Sequence, residues 1–446
     1  MLDGIVVGDS VLEGRKLTSK ITVPQNLRKY FRSLDFFAIY DEDIDADRSI
    51  LNIPALATVL PFAWLAGVDV YVDELDKTFK KSMDKLKQVY QKDYPNAPFT
   101  THIIADTLVE NEIGDIDPSK RTGLLFSGGV DSTHSLLTHL DLKPRLITFW
   151  GCDNYPYPGN SAQLEEIIST YSRFTRQMGL EYNVVKTNNS GILDDWRISH
   201  DFHQYLYDGW FRLLLQHTFV LIPLIAPLSM GRFNRLIISG GNPRSTDDDY
   251  PVGPSRPETD EKFIWADLKV KHVRDVYREE KISGAIKDNL QKYNLKLKVC
   301  LGKLGKPQLN DSSCVKCLRA IANLALVGID GNKCGFQVNE TTWTRLKEYL
   351  EHDLEKETFG LGGGFLRMQK NLPNHLDRDI YGSKDFFNWF RDFDLQSKEK
   401  DVWFYRDIYH SLPYPLAKIL NKLYLIAGIR IHDERPMQRK ENLSRT

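Results

Sequence analysis

Leu124-Leu125-Phe126-Ser127-Gly128-Gly129-Val130-Asp131-Ser132-Thr133 is the stretch whose reading decides this chain's fold. An apolar strand ends in Ser-Gly-Gly-x-Asp-Ser and runs straight into a helix. Gly128 and Gly129 can take positive φ and let a ligand approach the backbone. The N–H groups of the first helical turn point outward at the positive end of the helix dipole. Ser127, Ser132 and Thr133 add hydroxyl donors, so the turn reads as an anion cradle. Asp131 would repel a bare phosphate, which implies either Mg²⁺ between the carboxylate and a polyphosphate or a cap on its own helix. The competing reading is an ordinary glycine turn over a core helix. No Gly-Lys-Ser/Thr follows at Walker spacing, so this is not a P-loop.

Outward from that turn the pattern alternates strand and helix, which predicts an α/β fold with a doubly wound parallel sheet. The predicted strands are Gly123 to Phe126, Arg145 to Trp150, Tyr182 to Lys186, Arg235 to Ser239 and Leu295 to Cys300. Each is short and rich in apolar or β-branched residues, as strands buried on both faces are. Helices are predicted at Asp131 to Leu140, Ala162 to Met178, Asp201 to Leu221 and Asp267 to Tyr293, the last broken at Gly284. Ligands of such sheets lie beyond the carboxyl ends of the strands. Ser127, Gly151-Cys152-Asp153 and Gly240-Gly241-Asn242 all fall there.

Three domains are expected: an N-terminal α/β domain over 1–118, a central domain over 119–340 and a C-terminal helical region over 341–446. In the first, Gly4 to Val7, Phe36 to Tyr40 and Thr101 to Ile104 read as strands, and Asp73 to Tyr90 as an amphipathic helix whose lysines form a solvated face. Asn111 to Lys120 reads as a linker. In the last, Thr341 to Lys356 reads as a helix, Gly360 to Gly364 as a hinge and Asp385 to Arg430 as aromatic-rich helix.

With 59 Lys+Arg against 60 Asp+Glu in 446 residues, no global field draws the chain to nucleic acid or an anionic membrane. Ile53 to Val72 and Phe219 to Met230 are apolar but interrupted by prolines. The opening Met1-Leu2-Asp3-Gly4 lacks a basic n-region. The expectation is a soluble cytoplasmic protein without a secretory signal or membrane span.

Four of the five cysteines crowd into Cys300 to Cys334, and Cys314-Val315-Lys316-Cys317 is a CxxC. Four thiolates from Cys300, Cys314, Cys317 and Cys334 would close a tetrahedral structural Zn²⁺ site. Reduced core cysteines are the plainer reading, and an iron–sulfur cluster with three thiolates is a third. Cys152 stands apart as a packing residue or a reactive thiol.

Ser127 to Ser132 resembles the PP-loop of the ATP pyrophosphatases. Val299-Cys300 and Ser313-Cys314-Val315-Lys316-Cys317-Leu318-Arg319 resemble the cysteine knuckle of the 7-cyano-7-deazaguanine synthase-like branch of that superfamily. The resemblance spans roughly Gly123 to Cys334, and only the loop and the cysteines are specific. It implies an enzyme that binds ATP through Ser127, Gly128, Gly129, Val130, Asp131, Ser132, Thr133 and Phe149, with Ser127, Asp131 and Ser132 in catalytic roles and Mg²⁺ and Zn²⁺ as cofactors. It further implies transfer of AMP to a carboxylate, amide or ring carbonyl of a small molecule or nucleobase, release of pyrophosphate, and attack by a nitrogen or sulfur nucleophile. Where the family's knuckle has a further cysteine, this chain has Asp311. Cys334 is then the first candidate for fourth ligand and Asp311 the second.

The Pro-, Gly- and Arg-rich segment from Gly240 to Lys262 is long for a βα connection and reads as a substrate loop, with Arg244 and Arg256 as bidentate clamps for a carboxylate or pyrophosphate. The competing reading is a solvent loop. His200 and His203 are expected to head the helix after the third strand, and Arg212 to lie further along it. The alternatives to a ligase-like enzyme are a sulfurtransferase acting on tRNA, a non-catalytic nucleotide sensor, and a zinc-knuckle nucleic-acid adaptor. A homo-oligomer is open.

Overall fold

In the computed structural model, residues 3–8, 10–152, 161–207, 209–241, 255–274, 276–300, 308–353, 361–395 and 408–426 are described. Eleven strands form one sheet: β1 Ile5–Val7, β2 Val11–Glu13, β3 Lys16–Thr22, β4 Asp35–Ile39, β5 Val70–Asp76, β6 Ile103–Val109, β7 Thr122–Leu125, β8 Arg145–Trp150, β9 Tyr182–Thr187, β10 Arg235–Ser239 and β11 Lys269–Val273. The order is β11-β10-β7-β8-β9-β4-β3-β1-β5-β6, with β2 paired to β3. From β11 to β9 every pairing is parallel. The antiparallel pairs β9·β4, β4·β3 and β3·β1 then join this block to the parallel run β1-β5-β6. The chain is α/β, with a large, mostly parallel sheet.

Both faces of the parallel block are covered, as adjacent residues on one strand show. Leu125, Ile147 and Leu236 belong to one apolar core, whereas Leu124, Leu146 and Ile237 belong to the other. Side chains alternate across a strand, so each face has its own helical layer. The first core contains the helices α1 Ile53–Ala66 and α2 Lys77–Asp93. The second contains α3 Val130–Thr138 and α4 Ser161–Gln177. Next in the chain come α5 Asp195–Asp201, α6 Arg278–Lys281 and α7 Lys287–Tyr293. They are followed by α8 Val315–Leu326, α9 Glu340–Glu348, α10 Leu361–Lys370, α11 Ser383–Asp392 and α12 Tyr414–Ile426.

Helix α1 explains the first apolar, proline-bearing stretch. It is buried on every side, Pro61 included, and ends on Gly67 in the left-handed region. A helix that is apolar all round belongs in a core or a bilayer. Among the described residues no helix is long and apolar enough to cross a membrane.

Several predicted elements change. Leu295 to Cys300 is not a strand: Leu297 N–H donates to Cys334 O and Lys298 N–H to Gly128 O, so the segment runs over the sheet's carboxyl end instead of joining a ladder. The fifth parallel strand is β11, inside the predicted helix Asp267 to Tyr293. Its alternating exposed Lys269 and Lys271 are what an edge strand uses to discourage further pairing. The helix follows as α6 and α7, joined by a π turn with a kink at the expected Gly284. The N-terminal helix begins at Lys77, because Val70 to Asp76 is strand. Asp201 to Leu221 breaks into short 3₁₀ and π turns. Gly362, Gly363 and Gly364, predicted as a hinge, lie inside α10, and Gly360 lies outside the described residues.

At the amino end of β8 and β9 a polar lattice ties the N-terminal region to the parallel block. Arg145 donates to Glu42 at 2.6 Å and to Asn183 at 2.7 Å, Arg232 reaches Glu42 at 3.0 Å, and Asp41 accepts the Val184 N–H at 2.8 Å. This leaves the opposite, carboxyl edge for the glycine turns.

Candidate functional site

Strand order reverses between β7 and β10: β8 and β9 lie on one side of β7, β10 and β11 on the other. The chains leaving β7 and β10 therefore diverge and open a crevice at their carboxyl ends. Ser127-Gly128-Gly129 forms one wall and Gly240-Gly241 the other.

Gly128 has φ +72°, and a Cβ there would lie 1.8 Å from the Tyr171 hydroxyl. Its carbonyl takes the Lys298 N–H at 2.7 Å and stands 3.2 Å from that hydroxyl. Gly129 departs from expectation. Its φ is −72°, so it caps α3 in an extended conformation and does not use the left-handed region. Ser127 Oγ and Ser132 Oγ approach to 3.3 Å across the turn. Two buried hydroxyls, Thr133 Oγ1 and Ser239 Oγ, have no hydrogen-bond partner among the described residues. Buried polar atoms are nearly always paired, so such atoms at a crevice suit a ligand.

Asp131 receives a fork from Arg278, whose Nη2 and Nε stand 2.6 Å and 3.1 Å from Oδ2, and Lys281 Nζ at 2.9 Å on Oδ1. Burial opposes ionisation of this carboxyl, but the charges and hydrogen bonds of Arg278 and Lys281 outweigh it and hold it below its ordinary value. Lys281 is buried and also donates to Gly240 O at 2.7 Å and Gly241 O at 3.1 Å, spanning the crevice from wall to wall. Arg319 of α8 adds a third cation. Burial and the like charge of Arg278 lower its guanidinium to about 10, against the attraction of Glu279 and Asp131. Gly364 lets it pass, since a Cβ there would lie 2.6 Å from Arg319 Nη1. Sequence reading missed Arg278 and Lys281 because charges on a Glu- and Lys-rich helix start look like a solvated face.

The cysteines converge as well, with one substitution. Ligand atoms of Cys300, Asp311, Cys314 and Cys317 all lie within 4.8 Å of one another. Cys300 Sγ and Cys314 Sγ are 3.9 Å apart, against about 3.8 Å for the edge of a tetrahedron with Zn–S bonds of about 2.3 Å. Cys334, the first choice for fourth ligand, is buried in the second core and outside this group; burial raises its thiol to about 12. Asp311 takes its place, its carboxylate fixed by N–H donation from Ser313 and Cys314, both at 2.9 Å. Cys300 is shifted down by hydrogen bonds from Cys314 and Cys317, and those two shift up, as when one negative charge is shared among three thiols. Zn²⁺ or an iron–sulfur cluster fits this donor set, and a bound metal would replace the shared protons.

Lys298 links the two sites. Its backbone holds Gly128, its Nζ donates to Cys300 O, and burial lowers its ammonium against the attraction of the cysteines and Asp311.

The remaining candidates fall elsewhere. Phe149 is half-buried near the carboxyl end of β8. Arg256 is paired with Asp93 of α2 and with Glu258, so it braces the fold in this state. Arg244 lies outside the described residues. His200 sits in the last turn of α5, not at a helix start, with Nδ1 2.7 Å from Asp201 and Nε2 2.9 Å from Leu412 O. His203 stacks on His410 at 4.2 Å between ring centroids, and Arg212 pairs with buried Asp195 at 3.0 Å. Cys152 is buried with Sγ 3.3 Å from both Asn189 Oδ1 and Val220 O, which suits packing. A cleft of about 220 Å³ lined by Leu372, His375, Lys384, Phe387 and Arg391 opens among the C-terminal helices and shares no residue with the crevice.

No protein-family model matches the chain, and neither a curated protein nor a solved structure does.

Proposed function

We propose that this chain is a PP-loop ATP pyrophosphatase: a doubly wound enzyme that adenylates an acceptor oxygen and releases pyrophosphate. The observation that carries this reading is the cluster of Lys281, Arg278 and Arg319 facing the Ser127–Thr133 turn where the strand order reverses. Arg278, Lys281, Arg319 and Arg367 against the carboxylates of Asp131 and Glu279 form a site of net positive charge. A polyphosphate would draw the cations from Asp131, and the freed carboxylate would then hold Mg²⁺, which neutralises phosphate charge when bound.

The acceptor oxygen attacks the α-phosphorus, and the bond to the pyrophosphate bridging oxygen breaks. The leaving group gathers negative charge against the N–H groups of α3's first turn and the cations of the cluster. No protein nucleophile is required. A nitrogen or sulfur nucleophile then displaces AMP from the acceptor carbon. The acceptor is a small molecule or nucleobase, in keeping with the balanced net charge, and the expected compartment is the cytoplasm.

The test is ATP consumption by the purified chain against panels of carboxylic acids, amides and nucleobases, resolving AMP plus pyrophosphate from ADP plus phosphate. AMP and pyrophosphate in equal amounts, dependent on one acceptor, are expected. Label from an ¹⁸O-acceptor should appear in AMP. ADP with labelled phosphate would replace adenylation by γ-transfer.

A second reading rests on the Cys₃Asp donor set. If it holds an iron–sulfur cluster, a sulfurtransferase becomes the better assignment, and iron with acid-labile sulfide in anaerobically purified protein would decide for it.

A further inference from the structure

His272, the penultimate residue of β11, is buried together with Asp260, and both side chains are 0% exposed. Nδ1 of His272 stands 2.8 Å from Asp260 Oδ2. That carboxylate is itself positioned: Oδ2 accepts Ser255 Oγ at 2.7 Å, and Oδ1 lies 3.2 Å from Thr259 Oγ1. The His272 N–H donates to Glu261 at 3.1 Å, which fixes the strand beneath the ring. A carboxylate at Nδ1 selects the tautomer with the proton on Nδ1 and leaves a lone pair on Nε2.

Nε2 is buried and has no hydrogen-bond partner among the described residues. Leaving such an atom unsatisfied costs about 1–3 kcal/mol, which offsets what the Asp260 hydrogen bond contributes to the fold. Nε2 faces Gly240, where a Cβ would lie 2.2 Å away. Gly240 is the crevice wall whose carbonyl holds Lys281, and Lys281 in turn holds Asp131. Gly240 thus touches Lys281 through its carbonyl and lies against both Nε2 and the Arg274 side chain.

We propose that His272 is the proton acceptor for the nucleophile that displaces AMP, with Asp260 as its positioning residue. This rests on the adenylation reading. As the nucleophile's N–H or S–H bond breaks, its proton passes to Nε2 and its electron pair forms the bond to the acceptor carbon. The carbon–oxygen bond to AMP breaks, and AMP leaves with that pair. Asp260 balances the imidazolium until the proton returns to water on product release. Gly240-Gly241 must shift for contact, and displacement of Lys281 from Gly240 O by polyphosphate supplies the trigger. The other charged groups around the pair are Glu261, with Lys271 3.8 Å from it, Arg274 against Gly240, and Tyr90 and Arg256, which act with Asp260 in one electrostatic group.

The test uses the full chain with ¹⁵N-labelled histidine, His272 being assigned by its loss in His272→Gln. Nitrogen shifts are followed against pH with and without Mg·ATP, and ATP binding is measured by calorimetry on the same samples. The expected result is an Nδ1–H tautomer that takes a proton on Nε2 reversibly while the fold is intact. It should reverse tautomer in Asp260→Asn and change its shift when ATP binds. A sealed structural pair would have the same tautomer and the same reversal in Asp260→Asn, but it would take no proton while folded and would keep its shift when ATP binds. An Nε2–H tautomer in the wild type, or ATP binding that leaves His272 unmoved, overturns the proposal while leaving the nucleotide reading intact. A chain that binds no ATP sinks the nucleotide reading, and the role of His272 towards a nucleophile that displaces AMP falls with it.

Discussion

Lys281 Nζ stands 2.9 Å from Asp131 Oδ1 and 2.7 Å from Gly240 O, so one buried ammonium fastens the helix after the glycine turn to the end of β10. Lys281→Met keeps the length of the side chain and removes its charge. It leaves Asp131 with Arg278 alone and two carbonyls unsatisfied. Urea unfolding should show a loss of about 3 kcal/mol, the scale for breaking a buried pair. Where the fold survives, the Kd for ATP should rise roughly tenfold to a hundredfold, the worth of one charge-assisted hydrogen bond. Unchanged affinity in a folded Lys281→Met would remove Lys281 from the phosphate site.

The two glycines of the turn should behave differently. Gly128→Ala places a methyl group 1.8 Å from the Tyr171 hydroxyl at φ +72°, so it should destabilise the chain by several kcal/mol or prevent folding. Gly129→Ala meets Ser127 Oγ at 3.3 Å with φ −72°, and should fold with stability within about 1 kcal/mol of wild type. Thermal melts of the two variants decide whether only Gly128 is conformationally required.

Metal content should follow the observed cluster rather than the cysteine count. About one metal per chain is expected in the wild type. Cys314→Ser and Asp311→Ala should lower it, and Cys334→Ser should leave it unchanged. Elemental analysis of the four proteins checks this, and loss of metal in Cys334→Ser would contradict the assignment of Asp311.

Acid should loosen the docking of residues 408–414 on α5. Burial raises the Asp201 carboxyl, but hydrogen bonds from His200 and Tyr30 and the charge of Arg197 outweigh it and bring it from 3.8 to about 2. A folded-state value below the unfolded one contributes stability that is fully present above the unfolded pKa and lost as pH falls through the folded one. Stability should therefore fall between about pH 4 and pH 2, and Asp201→Asn should flatten that part of the curve. An unaltered acid limb in Asp201→Asn would show that the pair contributes nothing.

The glycine turn was legible because its chemistry is local. Six consecutive residues and the apolar strand before them specify a tight turn into a helix, and Arg145–Trp150 and Arg235–Ser239 were equally clear because each is a short apolar run. β11 was hidden, since Lys269-Val270-Lys271-His272-Val273 alternates charge as an edge strand does and runs towards a helix. Leu295 to Cys300 misled in the opposite sense: Leu295, Leu297 and Cys300 are buried as in a strand, yet the segment's N–H groups go to Leu290 O, Cys334 O, Gly128 O and the Asn310 side chain, not to a ladder.

Sequence alone therefore determined what short-range sterics and side-chain chemistry decide: the α/β alternation, the glycine turn into α3, the CxxC and the kink at Gly284. Tertiary structure decided which distant residues meet. It brought Arg278, Lys281 and Arg319 to Asp131, chose Asp311 over Cys334, and set His272 against Gly240. Asp311 lies near the cysteines in sequence and is tied to Cys314 by a local turn, but the contacts at Asp131 and Gly240 join residues far apart in the chain, and no local preference encodes them. They follow from strand order, which places β10 and β11 beside β7, and from burial, which makes an unpaired charge or a misplaced Cβ costly enough to admit few arrangements.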